Sequence, residues 1–340
     1  MAPARGWPAR SDKSSARYSF DIDVEDDLIG ASGRERPLAP ARGCVDHLIE
    51  RAHEGRSIVT EFGKTGHVVE VLLLGTGTPV PDPARCGSGT AVIHERRWVL
   101  VDCGRGVPQR VIEAGLDLAG LDAVLLTHHH SDHISDLATL AIAHWMNGAR
   151  TPLTVIAPNG PCARFARGCL DGFEHQAFHS QANADSPPRP TVAVTEFTPT
   201  ERPETVFEST TWRATSALVD HSPIEAAVGY RIEADDRAVA VSGDTARCVG
   251  IERLAAGADL LIHEALRSDR VSPALLEWNA SARSVGELGR DLDLQRLVLT
   301  HLLPAPQSDS DEQAFVDEVR AAGYRGEVVV ARDQMQLPIR

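Results

Sequence analysis

The residues with the clearest chemistry lie in one run, Thr127-His128-His129-His130-Ser131-Asp132-His133. A single histidine is unremarkable in a core or on a surface. Four of them with an aspartate in seven positions are poorly suited to a core. Imidazole nitrogen and carboxylate oxygen are donors that zinc prefers, so the run predicts a metal site.

The flanking residues say how the run is held. Leu121 to Thr127 read as a strand, buried from Val124 to Leu126, and the segment from Ser135 to Trp145 reads as a helix, so the histidines occupy a strand-to-helix turn. The same arrangement recurs along the chain. Apolar runs end in His221 after Leu218-Val219-Asp220, in Asp244 after Val239-Ala240-Val241-Ser242-Gly243, in His263 after Leu260-Leu261-Ile262, and in His301 after Val298-Leu299-Thr300. Strands that share one edge would bring all these ends to one cleft, and the recurrence is stronger evidence than any single histidine.

The scaffold expected around them is a series of strands separated by single helices. Strands are expected at Val68 to Leu74, Thr90 to His94, Trp98 to Asp102 and Leu153 to Ala157. A second series covers Thr191 to Phe197, Trp212 to Val219, Ala226 to Ile232, Ala238 to Ser242, Asp259 to His263, Leu297 to Thr300 and Glu327 to Ala331. Helices are expected after Gly106, after Pro161, near Ile251 to Ala256, near Ala282 to Leu292 and from Asp311 to Ala322. The pattern predicts two sheets with helices outside. Residues 1–66 read as an N-terminal extension, partly disordered with a short helix near Cys44 to His53, and residues 67–340 as one domain. Residues 176–190 read as a polar loop.

Composition narrows the class. The 340 residues carry a formal net charge of −14, which argues against a broad nucleic-acid surface but not against a local one. The six cysteines form no CxxC pair and read as reduced thiols of a cytoplasmic protein. No secretory leader and no apolar run long enough to span a membrane are visible.

With these pieces in place the sequence resembles the metallo-β-lactamase superfamily and, within it, the ribonuclease Z-like branch that also has arylsulfatase-like relatives. The Thr127 to His133 run matches its HxHxDH motif. Gly75-Thr76-Gly77, Val101-Asp102-Cys103-Gly104, His221 with Gly229-Tyr230-Arg231, Ser242-Gly243-Asp244-Thr245, His263-Glu264-Ala265 and Thr300-His301 match further motifs. The resemblance runs from Val68 to the C-terminus. It implies an αββα sandwich of two mixed β-sheets and a metal-dependent hydrolase with two zinc ions, or manganese or iron in their place. His128, His130 and His221 would hold the first ion, Asp132, His133 and His301 the second, and Asp244 would bridge them. Asp132 would also orient or deprotonate the attacking water. His263 would give a proton to the leaving group. Asp102 is expected to brace the histidine turn through hydrogen bonds, and His129 to be structural, pointing away from its neighbours.

Three departures bear on the substrate. Many relatives carry a long tRNA-clamping arm between the third metal motif and the bridging aspartate, whereas about twenty residues separate His221 from Asp244 here. A loop written PxKxRN in the family stands as Pro81-Asp82-Pro83-Ala84-Arg85-Cys86, and a Ser-Arg-Tyr segment is replaced by Leu302-Leu303-Pro304-Ala305-Pro306. The resulting expectation is phosphodiester hydrolysis of the ribonuclease Z type, with a tRNA 3′-end endonuclease one form of it and RNA a candidate substrate. An arylsulfatase or lactonase on the same scaffold is the alternative, and a non-catalytic RNA- or protein-binding relative is a third. A homodimer is the assembly the resemblance suggests.

Overall fold

The computed structural model describes residues 68–173 and 189–339. The extension expected over residues 1–66 and most of the loop expected over 176–190 lie outside the described residues. Fourteen described strands make two seven-stranded sheets. In the first, β1 (Val69–Gly75), β2 (Gly89–His94), β3 (Arg97–Val101), β4 (Leu121–Leu125), β5 (Leu153–Pro158) and β6 (Val192–Phe197) lie side by side, and β14 (Met335–Ile339) covers β1. The second runs in sequence order from β7 (Glu204–Glu208) through β8 (Arg213–Leu218), β9 (Val228–Ala234), β10 (Arg237–Val241), β11 (Leu260–Leu266) and β12 (Arg296–Leu303) to β13 (Glu327–Val330). Both sheets are mixed in the same way. Pairs from β14 to β3 and from β7 to β10 are antiparallel; pairs from β3 to β6 and from β10 to β13 are parallel.

Period-two alternation builds the layers. In β1, Val71 and Leu73 face the second sheet and meet Tyr230, Val239 and Ile262 in the inter-sheet core. Leu72 and Leu74 face outward on to α1 (Val107–Glu113), α3 (Leu137–Met146) and α4 (Pro161–Gly168), which supply Val107, Val111, Leu137, Leu140 and Ala163. The outer face of the second sheet packs in the same way on α5 (Val249–Ala255), α6 (Ala282–Asp291) and α7 (Asp309–Ala321), through Ile251, Leu254, Val285, Leu288, Phe315 and Val319. The architecture is the expected αββα sandwich.

Differences from the expectation fall at edges and at the site. Strands β7 and β14 were not expected. The first is short, charged and half-exposed. The second contains Pro338, which a sheet tolerates only at its edge, and β14 is an edge. The helix expected from Ser135 to Trp145 stands as α3, and an additional single turn, α2 (Ser131–Ile134), precedes it. Between β9 and β10 the chain makes only the tight turn Asp235-Asp236, so no arm stands there. No helix among the described residues is long and apolar enough to cross a membrane. Five cysteines, all those in the described residues, are free, as the sequence reading has it. Burial raises the Cys103 and Cys162 thiols and pushes Cys169 up to about 11.

One buried bond ties the sheets together beside the histidine run. Tyr230, on β9, donates its hydroxyl to the Leu126 carbonyl at 2.7 Å. Tyr230→Phe leaves that carbonyl buried without this donor and should cost about 1–3 kcal/mol in urea unfolding. An unchanged unfolding midpoint would show that the bond contributes nothing.

Candidate metal centre

The ligand-type side chains leave strand ends on one edge of the sandwich. After β4 stops at Leu125, Leu126 N–H still donates to Ile156 O and Val228 N–H donates to Thr127 O, so the chain stays pinned to both sheets up to Thr127. His130 is extended and N-caps α2, and that single helical turn carries Asp132 and His133. Gly243 (φ 63°) reverses the chain after β10 before Asp244. A side chain at Gly243 would press within 3.0 Å of Thr127 and of the Val228 carbonyl, so glycine is required there for space as well as for φ. His301 (φ 47°) and Asp102 (φ 62°) hold left-handed backbone without being glycine. Such residues cost on the order of 1–3 kcal/mol each and persist where the surroundings over-determine them.

All seven residues that the resemblance named as ligands come together. Donor atoms of His128, His130, His221 and Asp244 lie within 4.8 Å of one another, and so do those of Asp132, His133 and His301. In the first group, His130 Nδ1 is 2.9 Å from His128 Nε2 and 3.2 Å from His221 Nε2. In the second, His301 Nε2 is 3.1 Å from Asp132 Oδ2 and His133 Nε2 is 3.5 Å from the same oxygen. Asp244 stands between them: Oδ2 is 3.8 Å from His128 Nε2 and 3.4 Å from His301 Nε2, and Oδ1 is 3.4 Å from His133 Nε2. A third group, Asp244, Glu264 and His301, overlaps both.

The far sides of the rings are held by neighbours. Asp102 accepts from Thr127 N–H at 2.8 Å, from the Thr127 hydroxyl at 2.8 Å and from His133 Nδ1 at 2.7 Å. His221 Nδ1 donates to the Trp278 carbonyl at 3.1 Å. Each bond makes Nδ1 the donor and turns Nε2 toward the centre, the arrangement that metal-binding histidines use. Asp102 thus does what the sequence reading gave it.

Charge follows from burial and neighbours. Burial, reinforced by the His133 charge, holds the His128 imidazole well below its ordinary range, which keeps it neutral. Burial and His221 lower His130 likewise. For His133 burial pulls down, but Asp244 and Asp102 outweigh it and hold the ring well above the usual value. Burial opposes ionisation of Asp244 and Asp132; for Asp244 the charges of His301 and His133 win, and for Asp132 the His301 hydrogen bond and the His133 charge do. Burial and the Asp244 charge together push Glu264 well above the carboxylate range.

The donor set fits a divalent cation. His130 Nδ1 lies at hydrogen-bond distance from two imidazole nitrogens and has at most one proton to share with them, and the buried atoms His133 Nε2 and Asp132 Oδ1 have no hydrogen-bond partner. A cation among them would be the partner they lack. A cleft of about 570 Å³, lined by His221, Pro223, Ile224, Cys248 and Val249 among others, borders this edge. That size suits a small-molecule or nucleotide site.

Two residues fall elsewhere than expected. His263, fully buried, lies in none of the ligand groups; strand alternation puts it with Leu261 and Ala265 on the helix-covered face, while Glu264 turns to the centre. Burial drives its imidazole down to about 4, and Nδ1 is taken by the Glu264 carbonyl. A sealed, neutral imidazole does not meet the needs of a proton donor at neutral pH. Glu264, to which the sequence reading gave no role, sits where His263 was expected, and the period-two rule applied to β11 would have found it. His129 lies outside the ligand groups, as expected of it. Arg85, kept from the family's loop, is buried and donates Nη1 to Thr76 Oγ1 and to the Ala331 carbonyl, so it works inward.

Comparison with known proteins agrees with this geometry. The β-lactamase superfamily domain matches residues 97–302. A protein of Mycobacterium bovis (strain BCG / Pasteur 1173P2) named ribonuclease Z is 36% identical over 277 residues, covering 78% of this chain and 96% of that one. A ribonuclease Z of Mycobacterium sp. (strain KMS) is 38% identical over 264 residues, covering 73% and 89%. The fold is shared with human tRNase Z, short form (TM-score 0.60, 21% identity, 80% of this chain and 99% of that one). A metallo-β-lactamase-fold protein from Bacillus subtilis superposes equally well (TM-score 0.60, 19% identity, with the same coverage). This chain belongs to the metallo-β-lactamase superfamily, in its ribonuclease Z-like branch.

Proposed function

We propose that this chain is a metal-dependent endoribonuclease that hydrolyses RNA phosphodiester bonds. The observation that carries the reading is the convergence of seven nitrogen and oxygen donors in two groups that share Asp244. Kinship with proteins named ribonuclease Z supports RNA as the polymer and does not favour an aryl sulfate or a lactone. His128, His130 and His221 would hold one ion and Asp132, His133 and His301 a second, with Asp244 in reach of both groups. Zinc suits this donor set, and manganese or iron accept the same donors. Bound there, the ions supply an activated water and stabilise the attacking and leaving oxygens of an in-line displacement at phosphorus.

The chain's own residues do the rest. Asp132 keeps one oxygen against His301 and leaves buried Oδ1 without a partner, so Oδ1 is the atom that accepts a proton from attacking water. Asp102 and Trp278 hold the His133 and His221 rings in the ligand tautomer. Glu264 accepts from Thr245 N–H, next to Asp244, and lies 4.0 Å from His301 Nδ1, which steadies the shared carboxylate and its neighbour. His263 packs beneath them, with Nδ1 bonded to the Glu264 carbonyl.

Asp132→Ala should keep the fold and lower turnover of RNA by on the order of a thousandfold, about 4 kcal/mol of transition-state stabilisation. The decisive assay runs a precursor tRNA, a bis-aryl phosphodiester, an aryl sulfate and an acyl lactone side by side. Faster turnover of the sulfate or lactone, or an unchanged rate in the variant, would overturn the reading. Metal binding should also depend on pH. His133 is held protonated near neutrality by Asp244 and Asp102, and a ligand must give up that proton. Affinity should therefore rise with pH from neutrality upward, by up to about tenfold per unit for the one proton displaced, with proton release visible by calorimetry in buffers of different ionisation enthalpy. A flat profile would contradict it.

A further inference from the structure

The turn after β13 carries a carboxylate with more partners than a surface turn needs. Asp333, whose side chain is only 5% exposed, accepts four hydrogen bonds. Its Oδ1 takes Thr76 N–H at 3.0 Å and the Thr76 hydroxyl at 2.8 Å, and its Oδ2 takes Cys86 N–H at 2.8 Å and Arg110 Nε at 3.3 Å. The neighbouring Arg85 donates to Thr76 Oγ1 and Ala331 O, and Gln334 N–H donates to Leu73 O. One acid near the C-terminus thus fixes both ends of the loop from Thr76 to Cys86.

That loop leads straight to the centre. The residues after Cys86 form a backbone ladder: Gly87 N–H donates to Arg105 O at 2.8 Å, Ser88 N–H to Asp132 O at 2.8 Å and Gly104 N–H to Ser88 O at 2.9 Å. There is no slack in it. A Cβ at Gly87 would stand 2.6 Å from the Asp132 carbonyl oxygen, and one at Gly104 would stand 1.8 Å from it. A shift of Cys86 is therefore passed through Gly87 and Ser88 to the backbone of Asp132. In the other group His221 is braced away from this ladder, by the Trp278 carbonyl.

We propose that Asp333 is a positioning residue for the metal group of Asp132, His133 and His301, acting through Cys86, Gly87 and Ser88 on the Asp132 carbonyl. The inference rests on the two-ion reading above. Its ligand is a divalent cation, and neither RNA nor turnover is needed to test it.

Titration of metal-free protein with Co²⁺, followed by visible absorption, reads the ligand field of each group. His301→Ala identifies the step belonging to the second group, and His221→Ala the step belonging to the first. In Asp333→Ala the second-group step should weaken by about 10- to 100-fold, the usual cost of losing support behind a metal ligand, while the first-group step stays within about threefold. Asp333→Asn keeps an oxygen for Thr76 but turns an amide N–H on to Cys86 N–H; it should fold and show the same selective loss if Asp333→Ala does not fold. Arg332→Ala, which breaks only the exposed pairs with Asp309 and Glu312, should leave both steps unchanged. Equal weakening of both steps, or none, whatever happens to the melting temperature, would overturn the proposal. A wild-type stoichiometry below two ions would instead overturn the two-ion reading, so the two failures are distinguishable.

Discussion

Buried donor atoms without partners, Asp132 Oδ1, His133 Nε2 and His301 Nδ1 among them, set the design of this edge of the sandwich. His130 Nδ1 faces two other imidazole nitrogens at 2.9 and 3.2 Å, and Asp244 lies between both donor groups. An unbraced chain would relax such a cluster by rotating a ring or protonating it. The fold hinders rotation by giving three of the rings a partner on the far side: Asp102 for His133, Thr127 Oγ1 for His128 at 3.0 Å, the Trp278 carbonyl for His221. Burial prevents protonation at His128 and His130. His133 is the exception, because two carboxylates flank it. The cost of holding donors apart is met by the two sheets, whose parallel strands place their ends side by side without loops having to reach.

Much of this was legible in the sequence for physical reasons. Buried strands in a two-layered sandwich must be apolar on both faces, so β4, β10, β11 and β12 read as apolar runs, and a polar residue at the end of each stands out. The seven ligand-type residues were named from those ends and from the family's motifs, and all seven meet. The edges were not legible. β7 is charged because it faces water, and β14 contains a proline because an edge strand has an unpaired side. Neither pattern distinguishes an edge strand from a loop.

The placement of His263 away from the ligand groups has a different origin. The motif His263-Glu264-Ala265 was recognised, but its chemistry was placed on the more familiar residue. In a strand whose neighbours on both faces are apolar, composition does not say which face looks inward, and phase must be carried from one end. Leu260 and Ile262 belong to the inter-sheet core and Leu261 and Ala265 to the helix-covered one, so phase assigns Glu264 to the centre. Asp333 escaped for a third reason: its four partners come from segments more than 200 residues away, and no local pattern records such a contact.

The net charge of −14 and an RNA substrate appear to conflict, and distance resolves the conflict. At physiological ionic strength charges separated by more than about 8 Å are largely screened, so scattered surface acids act weakly on a phosphate at the centre. What the phosphate meets is local. Asp132 and Asp244 carry the negative charge of the two donor groups, and two divalent ions would exceed it by two units; the imidazoles that complete the groups add none when neutral. The buried acid behind them, Glu264, is pushed toward its neutral form by the same crowding. An acidic protein can thus present a cationic focus without a basic surface. Specificity for one RNA then depends on how the polymer is held beyond that focus, where the 570 Å³ cleft on the His221 side offers Pro223, Ile224 and Val249 rather than arginines. Those side chains offer apolar surface, and Glu201, Asp220 and Glu225 of the same cleft repel a phosphate, so contacts there would select by shape while the centre supplies the attraction for the backbone.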